Sequence, residues 1–397
     1  MVLSNRIKKI NVSPTMKIAQ MAIELKSKGE SILDLSIGEP DFPTPQNIKD
    51  AAIKAINENF TKYTINSGTI ELRKAIAIKY NRENGLKYSP SEIIVSNGAK
   101  QSIYNAIQAV VNDGDEVIIP SPYYASYPEM VLLAGGYPKF IMTNEETNFK
   151  ISSQQLRNSI TEKTKLLILC SPSNPTGTVY TEEELKELIT VIEKEKFFIL
   201  SDEIYEKIIF DNCKTKSIAA LNQEIKERTI TINGVSKSYS MTGWRIGYAA
   251  ASEKIIHAMN KLQSHSTSNA SSISQAAALE AITGQQESII NSRKEFEIRR
   301  NKFYDKISSI QGIKCFKPHG AFYLFPNTFS FVGKRYNSYA ILNSASLAEF
   351  ILREAKVVVV PGSAFGAEGY IRMSFAASIE NLELASNRIS DALMKLT

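Results

Sequence analysis

Ser236-Lys237-Ser238-Tyr239-Ser240-Met241-Thr242-Gly243-Trp244-Arg245-Ile246-Gly247-Tyr248 sets a lysine among serines and other small residues, eight positions before an arginine that follows the chain's only tryptophan. Lysine and arginine are ordinarily surface residues, so two cations in such surroundings ask for a reason. The apolar run from Ile246 to Ala251 reads as a buried strand, which delivers Arg245 to a strand end. A guanidinium held there needs a partner, and an anion suits it best. The small residues beside Lys237 leave room for a bulky group on its amine.

Outward from this stretch the chain alternates. Amphipathic helices are expected at 45–58, 69–83, 99–112, 124–134, 181–196, 252–263 and 271–283, and short apolar strands at 92–96, 115–119, 137–142, 164–170, 197–201, 228–232 and 246–251. Strands alternating with helices of this length imply an α/β fold, a large domain with a mostly parallel seven-stranded sheet covered by helices on both faces. After residue 285 the texture changes: a long charged helix over 286–309, an apolar segment Ala321–Phe325, a helix near 345–355, strands at Val357–Val360 and Tyr370–Phe375, and a last helix from 379. This predicts a second, smaller α/β domain. Residues 1–15 read as a polar arm ending in Ser13-Pro14-Thr15, followed by a helix that Gly29 stops and a short strand over Ile32–Ile37. The expected organisation is an N-terminal segment at 1–44, which the family resemblance drawn from the motifs below assigns to the arm and part of the small domain, a large domain at 45–285 and a small C-terminal domain at 286–397.

Composition narrows the function. Hydrophobic residues make up 43% and charged residues 22%, the balance of a globular protein with a large core. The net charge of +6, from 47 basic and 41 acidic residues, is spread thinly, which argues against nucleic-acid and membrane partners. Cys170, Cys213 and Cys315 lie far apart without CxxC spacing, and the three histidines are equally scattered, so neither a disulfide framework nor a metal site is expected. With no signal-peptide pattern and no apolar run near the roughly 18 residues of a membrane span, a cytoplasmic enzyme is the expectation.

On parallel sheets, ligands gather at the carboxyl ends of strands, and that is where the conspicuous motifs fall. Ser96-Asn97-Gly98-Ala99-Lys100-Gln101 turns from a strand into a helix whose first amides offer an anion site. Ser121-Pro122-Tyr123-Tyr124 puts aromatic rings after the next strand. Ser171-Pro172-Ser173-Asn174-Pro175-Thr176-Gly177 holds an asparagine between two prolines, ahead of a capping box at Thr181 and Glu184. Ser201-Asp202-Glu203-Ile204-Tyr205 ends an apolar strand in acids. Gly38-Glu39-Pro40-Asp41-Phe42-Pro43-Thr44-Pro45 is too rich in proline for regular structure. Finally, Tyr370-Ile371-Arg372-Met373-Ser374 embeds an arginine in an apolar strand, where a carboxylate, internal or bound, must meet it.

These motifs, in this order from about residue 5 to the C-terminus, resemble those of the class I/II aminotransferase family, fold-type-I enzymes that use pyridoxal 5'-phosphate. Within it, Gly98-Ala99-Lys100-Gln101, Tyr124-Ala125-Ser126-Tyr127-Pro128-Glu129-Met130 and Met241-Thr242-Gly243-Trp244-Arg245 look most like the bacterial aspartate and aspartate/prephenate aminotransferase subgroup. The resemblance implies that Lys237 forms the Schiff base and acts as general base, with Ser236, Gly98, Ala99, Lys100 and Arg245 around the phosphate. Asp202 pairs with the pyridine nitrogen, Tyr205 and Asn174 meet the phenolic oxygen, and Tyr124 stacks on the ring, where relatives commonly carry tryptophan. Arg372 and Gly38 are implied at the substrate α-carboxylate, with Tyr124 and Asn174 beside it; Lys100, Ser13 and Thr15 are implied at a distal carboxylate. Arg6 stands where it could serve prephenate, and His265 where relatives more often have glutamine. Tyr63, in Lys62-Tyr63-Thr64, is implied to reach the partner's phosphate across a homodimer whose chains share active sites.

The expected function is transfer of the α-amino group of L-aspartate or L-glutamate to a 2-oxo acid such as 2-oxoglutarate. Two rivals stand beside it. One is a different reaction on the same scaffold: an aromatic- or prephenate-preferring aminotransferase, or a C–S lyase. The other, a cofactor-bearing regulator, needs an appended DNA-binding segment, for which the arm before residue 16 has no room.

Overall fold

A computed structural model describes residues 3–10 and 15–397, the side chains of 15–19 excepted. A two-residue strand β1 (Leu33–Asp34) precedes seven that form one sheet: β2 (Ile93–Ser96), β3 (Glu116–Ser121), β4 (Tyr137–Met142), β5 (Thr164–Cys170), β6 (Phe198–Asp202), β7 (Thr229–Gly234) and β8 (Gly247–Ala250). Their order is β2-β8-β7-β6-β5-β3-β4, and β8 alone runs antiparallel to its neighbours. Every residue of β2, β7 and β8 is buried; β2 and β8 show as runs of small or apolar residues, while β7 alternates isoleucine with buried Thr229, Thr231 and Asn233. At the sheet edge, β4 buries only Ile141 and exposes Tyr137, Phe140 and Met142.

The expected helices appear at Gln46–Asn57, Ile70–Lys79, Ala99–Val110, Ser126–Leu133, Glu182–Ile192, Glu253–Ser264 and Ser272–Thr283. The one expected over 69–83 leaves α geometry at Lys79 and closes with a π turn, Tyr80–Asn84, before Gly85 in the left-handed region. The Thr181–Glu184 capping box forms as read, with Glu184 N–H on Thr181 Oγ1 at 3.2 Å and Thr181 N–H on Glu184 Oε2 at 2.8 Å.

The strand expected over Ile32–Ile37 shortens to β1. Asp34 Oδ1 accepts from Ser36 N–H at 3.0 Å and from Ser36 Oγ at 2.6 Å, and this local turn takes the donor that a longer ladder needs. Ser153–Ser159 and Gln223–Glu227 are helices that periodicity does not announce, because each buries a single residue, Leu156 and Ile225. Within the polar arm, Asn5–Lys9 is helical, buries nothing and lies against helix Ser126–Leu133.

β1 pairs in parallel with Val357–Val358, so the N-terminal segment joins the C-terminal third. Their shared core runs from Ala22 and Leu35 through Phe296 and Phe303, along the long helix Glu287–Ser308, to Ile371, Phe375 and Leu393. Ile204, Tyr205, Ile208 and Phe210 enter that core from the loop after β6, which places the end of β6 between the large sheet and the C-terminal elements.

Candidate active site

The carboxyl ends of the parallel strands open on a cavity of about 380 Å³. β2 leads into Gly98, the N-cap of helix Ala99–Val110, at φ 87° and ψ 158° with no side-chain cap, so the first amides of that helix have no partner from the cap. Arg245 faces this turn. Its guanidinium donates to the carbonyls of Thr242 (3.0 Å) and Asn97 (3.3 Å), exposed and without a carboxylate partner among the described residues. A Cβ on Gly98 would stand 2.3 Å from the Arg245 guanidinium, and one on Gly247 would stand 2.0 Å from the amide nitrogen of Ala99. Both glycines are needed for the helix start, the guanidinium and β8 to lie this close. Helix amides and a free guanidinium, with Ser236 in the same wall, make a site for a dianion.

Lys237 projects into the same cavity, its Nζ donating to Gly38 carbonyl at 2.6 Å. Burial holds its ammonium down at about 8; the positive charges of Arg372 and Arg245 act in the same direction, opposed by Glu39 and Asp202. This lysine can therefore lose its proton near physiological pH.

Asp202, the last residue of β6, is buried. Its carboxylate accepts from Tyr127 Oη at 2.6 Å and from Ile204 N–H at 3.3 Å. Burial pushes its carboxyl up, against those two hydrogen bonds and the charge of Lys237. Such a carboxylate is short of a cation, and a protonated ring nitrogen bound in the cavity would supply one.

Beyond it, Tyr205 and Tyr323 join hydroxyl to hydroxyl at 2.8 Å. Arg372, 7% exposed, donates to Asn174 Oδ1 at 3.0 Å and to Ser36 carbonyl at 2.6 Å, its plane resting on Tyr323 and Phe365. Its Nε has no hydrogen-bond partner, and it makes no ion pair among the described residues. A buried cation left in this condition is poised for a carboxylate from outside the chain.

Of the residues singled out in the sequence, Gly38, Ala99, Lys100, Tyr124, Asn174, Asp202, Tyr205, Ser236, Lys237, Arg245 and Arg372 line this one cavity. Gly98 sits behind Arg245 rather than in the lining. Tyr63, 91% exposed, lies away from the cavity of its own chain, as does His265, an exposed residue at the C-terminus of helix Glu253–Ser264. Ser13 and the side chain of Thr15 fall outside the described residues. Arg6 is exposed on its short helix.

Sequence reasoning missed Tyr127 and Tyr323, the partners of Asp202 and Tyr205, and also Cys170, whose thiol burial keeps neutral. Tyr127 had a readable signal: it stands three residues after Tyr124, one helical turn on, and their rings meet edge to face at 5.4 Å.

An amine that gives up its proton readily, a buried carboxylate short of a cation and an anion cradle share this cavity and fit pyridoxal phosphate, so that fold and site define a pyridoxal-phosphate enzyme. The comparisons agree. The model of the family "Aminotransferase class I and II" matches residues 30–389, and the chain belongs to that family. It is 49% identical over 388 residues to an aspartate aminotransferase of Bacillus sp. (strain YM-2), covering 98% of each. It is 49% identical over 393 residues to a probable aspartate/prephenate aminotransferase of Rickettsia bellii, again covering 98% of each. The crystal structure of the aspartate aminotransferase from Rhizobium meliloti superposes with a TM-score of 0.97 at 41% identity, over 100% of both chains.

Proposed function

We propose that this protein transfers the α-amino group of L-aspartate, or of L-glutamate, to a 2-oxo acid such as 2-oxoglutarate. The observation that carries the reading is Arg372: buried, forked, unpaired and in the same cavity as a lysine that titrates near 8. Arg372 grips the α-carboxylate of the substrate, and Asn174, bonded to it at 3.0 Å, keeps the fork aimed. Lys100, exposed on the cavity wall with its ammonium 5.5 Å from the centre of the Tyr124 ring, meets the second carboxylate. Relatives named as aspartate aminotransferases support the same choice.

When bound, pyridoxal phosphate supplies a covalent carrier for the amino group and a sink for the electrons released at the substrate Cα. The turn at Gly98 and the helix amides that start at Ala99, with Ser236 and Arg245, would hold its phosphate, and Tyr124 would cover its ring. Asp202, oriented by Tyr127, would keep a positive charge on the ring nitrogen. Tyr205 and Asn174 would serve the phenolic oxygen. Lys237, once its amine is free, would take the proton from Cα and pass it to the cofactor carbon that receives the amino group, a task that calls for a base with a pKa close to the working pH.

Three further readings belong to the proposal. The chain acts as a homodimer with shared sites, which gives Tyr63 a role that its own cavity does not. Residues 1–44 and 286–397 form the smaller unit around 45–285, in keeping with the pairing of β1 with Val357–Val358. The protein works in the cytoplasm, where Cys170, Cys213 and Cys315, none of them in a disulfide, stay reduced. Among the described residues no helix is long and apolar enough to cross a membrane.

Steady-state rates test the assignment, with L-aspartate and L-tyrosine compared as donors to 2-oxoglutarate, and 2-oxoglutarate and prephenate compared as acceptors from L-aspartate. The higher kcat/KM is expected for L-aspartate as donor and for 2-oxoglutarate as acceptor. A higher value for tyrosine or prephenate, or release of pyruvate and ammonia from a cysteine conjugate, overturns it.

A further inference from the structure

We propose that Lys79 and Glu206 are positioning residues for this reaction, a buried ion pair that clamps the catalytic turn from behind and holds Asp202 and Tyr205 toward the cavity. The segment Asp202–Glu206 carries four ionisable side chains in five positions, all buried. Asp202 and Tyr205 line the cavity; Glu203 and Glu206 do not. Glu203 accepts from Ser201 Oγ at 2.8 Å and from Ser217 Oγ at 2.6 Å, while Glu206 takes the Lys79 ammonium and the Asn84 amide, the latter at 2.9 Å. The turn itself is short, with Glu206 N–H on Glu203 carbonyl at 3.0 Å and Ile208 N–H on Tyr205 carbonyl at 2.8 Å. The sheet anchors its start, with Ser171 N–H on Asp202 carbonyl at 3.1 Å and Glu203 N–H on Ile232 carbonyl at 2.9 Å, and Ala321 N–H on Ile208 carbonyl at 2.9 Å anchors its end; between these points the turn leaves the sheet, and its outward carboxylates bias how Tyr205 and the Asp202 side chain sit.

The opposite side of the clamp is equally specific. Lys79, 3% exposed, ends helix Ile70–Lys79, and the π turn that follows carries Asn84 back to within 3.3 Å of the Lys79 ammonium as well as onto Glu206. Glu83 on the same turn lies 3.5 Å from Lys79 and 2.6 Å from Lys207 Nζ, so the next residue after Glu206 is fastened too. A buried ion pair stabilises a fold no better than apolar side chains of the same volume, and often less well. What a directional pair supplies that an apolar pair does not is a fixed geometry. Here it acts on the residue that faces the cofactor nitrogen.

This inference rests on the role proposed above for Asp202, and Asp202→Asn, measured alongside, separates the two. The holoenzymes and apoenzymes of Lys79→Met, Glu206→Gln, the apolar double variant Lys79→Met/Glu206→Leu and Lys79→Arg are compared. Three readouts apply: kcat against KM, the affinity of apoprotein for pyridoxal phosphate from Trp244 fluorescence, and the pH midpoint of the bound cofactor's visible absorption. Misplacing a catalytic group by about 1 Å costs on the order of 100-fold, so kcat is expected to fall about 10- to 100-fold with KM nearly unchanged. The affinity weakens, the midpoint moves, and Lys79→Arg recovers part of each. The double variant, free of unpaired buried charge, is expected to fold even where the single ones do not, and to show the same losses. A folded double variant with wild-type kcat, cofactor affinity and midpoint overturns the proposal. If Asp202→Asn is itself unimpaired, the role of Asp202 fails and the clamp has nothing to position.

Discussion

Substituting Gly98 by alanine reads the phosphate corner without touching a charged group. The new Cβ would stand 2.3 Å from one terminal nitrogen of Arg245 and 2.7 Å from its central carbon, far inside contact distance. The backbone at φ 87° and ψ 158° lies in a region that only glycine enters freely, so the alanine costs about 1–3 kcal/mol in apoprotein stability. The clash itself is relieved cheaply. Arg245 is exposed and its guanidinium hydrogen-bonds to the carbonyls of Thr242 and Asn97, so it swings off the turn. The phosphate then loses one charge-assisted contact, worth about 1.5–3 kcal/mol, which is about 10- to 150-fold in Kd. Trp244, the only tryptophan and the neighbour of Arg245, reports cofactor titration of apoprotein. Arg245→Ala alone is expected to weaken binding by a similar factor. Because the glycine acts through the arginine, the double variant should be little weaker than Arg245→Ala. Unchanged affinity in Gly98→Ala, or losses that simply add in the double variant, would refute the reasoning.

Other consequences follow from the same geometry. Lys237 has a folded-state pKa lowered from 10.5 to about 8, so its buried charge is a penalty present in full below pH 8 and relieved between about pH 8 and 10.5, as the unfolded chain holds more protons there. Lys237→Met apoprotein should thus be the more stable near pH 7, by at most about 3 kcal/mol, with the gap in melting temperature closing above pH 10. Arg372→Lys loses the fork that spans Asn174 and Ser36; kcat/KM for aspartate is expected to drop about 10- to 100-fold while cofactor affinity holds, as steady-state rates and titration will show. Tyr323→Phe strands the buried hydroxyl of Tyr205, and urea unfolding of apoprotein should record a loss of about 1–3 kcal/mol.

How far the sequence could be read depends on the range of each interaction. β7 and β8 were legible because both faces of the sheet are covered, which leaves an unbroken buried run. Lys237 and Arg245 were legible because their neighbours within a dozen residues are so unlike those of surface cations. The Asn174–Arg372 bond joins residues 198 positions apart, and the Tyr205–Tyr323 bond 118; no local pattern encodes either. Tyr127 and Tyr323 look like core tyrosines, and only the fold shows that their hydroxyls point at the site. Ser153–Ser159 escaped for the opposite reason: a helix of two turns with one buried leucine has a capping box, at Ser152 and Gln155, but no period. The residues 202–206 were read for their acids, yet which acid faces the cavity and which the core follows from the turn alone.

A single-turnover reaction bears most directly on the central claim, that one lysine near pKa 8 and one buried carboxylate let this chain hold and release an amino group. Holoenzyme mixed with L-aspartate and no 2-oxo acid should change its visible absorption and release about one oxaloacetate per site, and Lys237→Ala protein should release none at a comparable rate. No oxaloacetate from the wild type, or undiminished release from the variant, would contradict it.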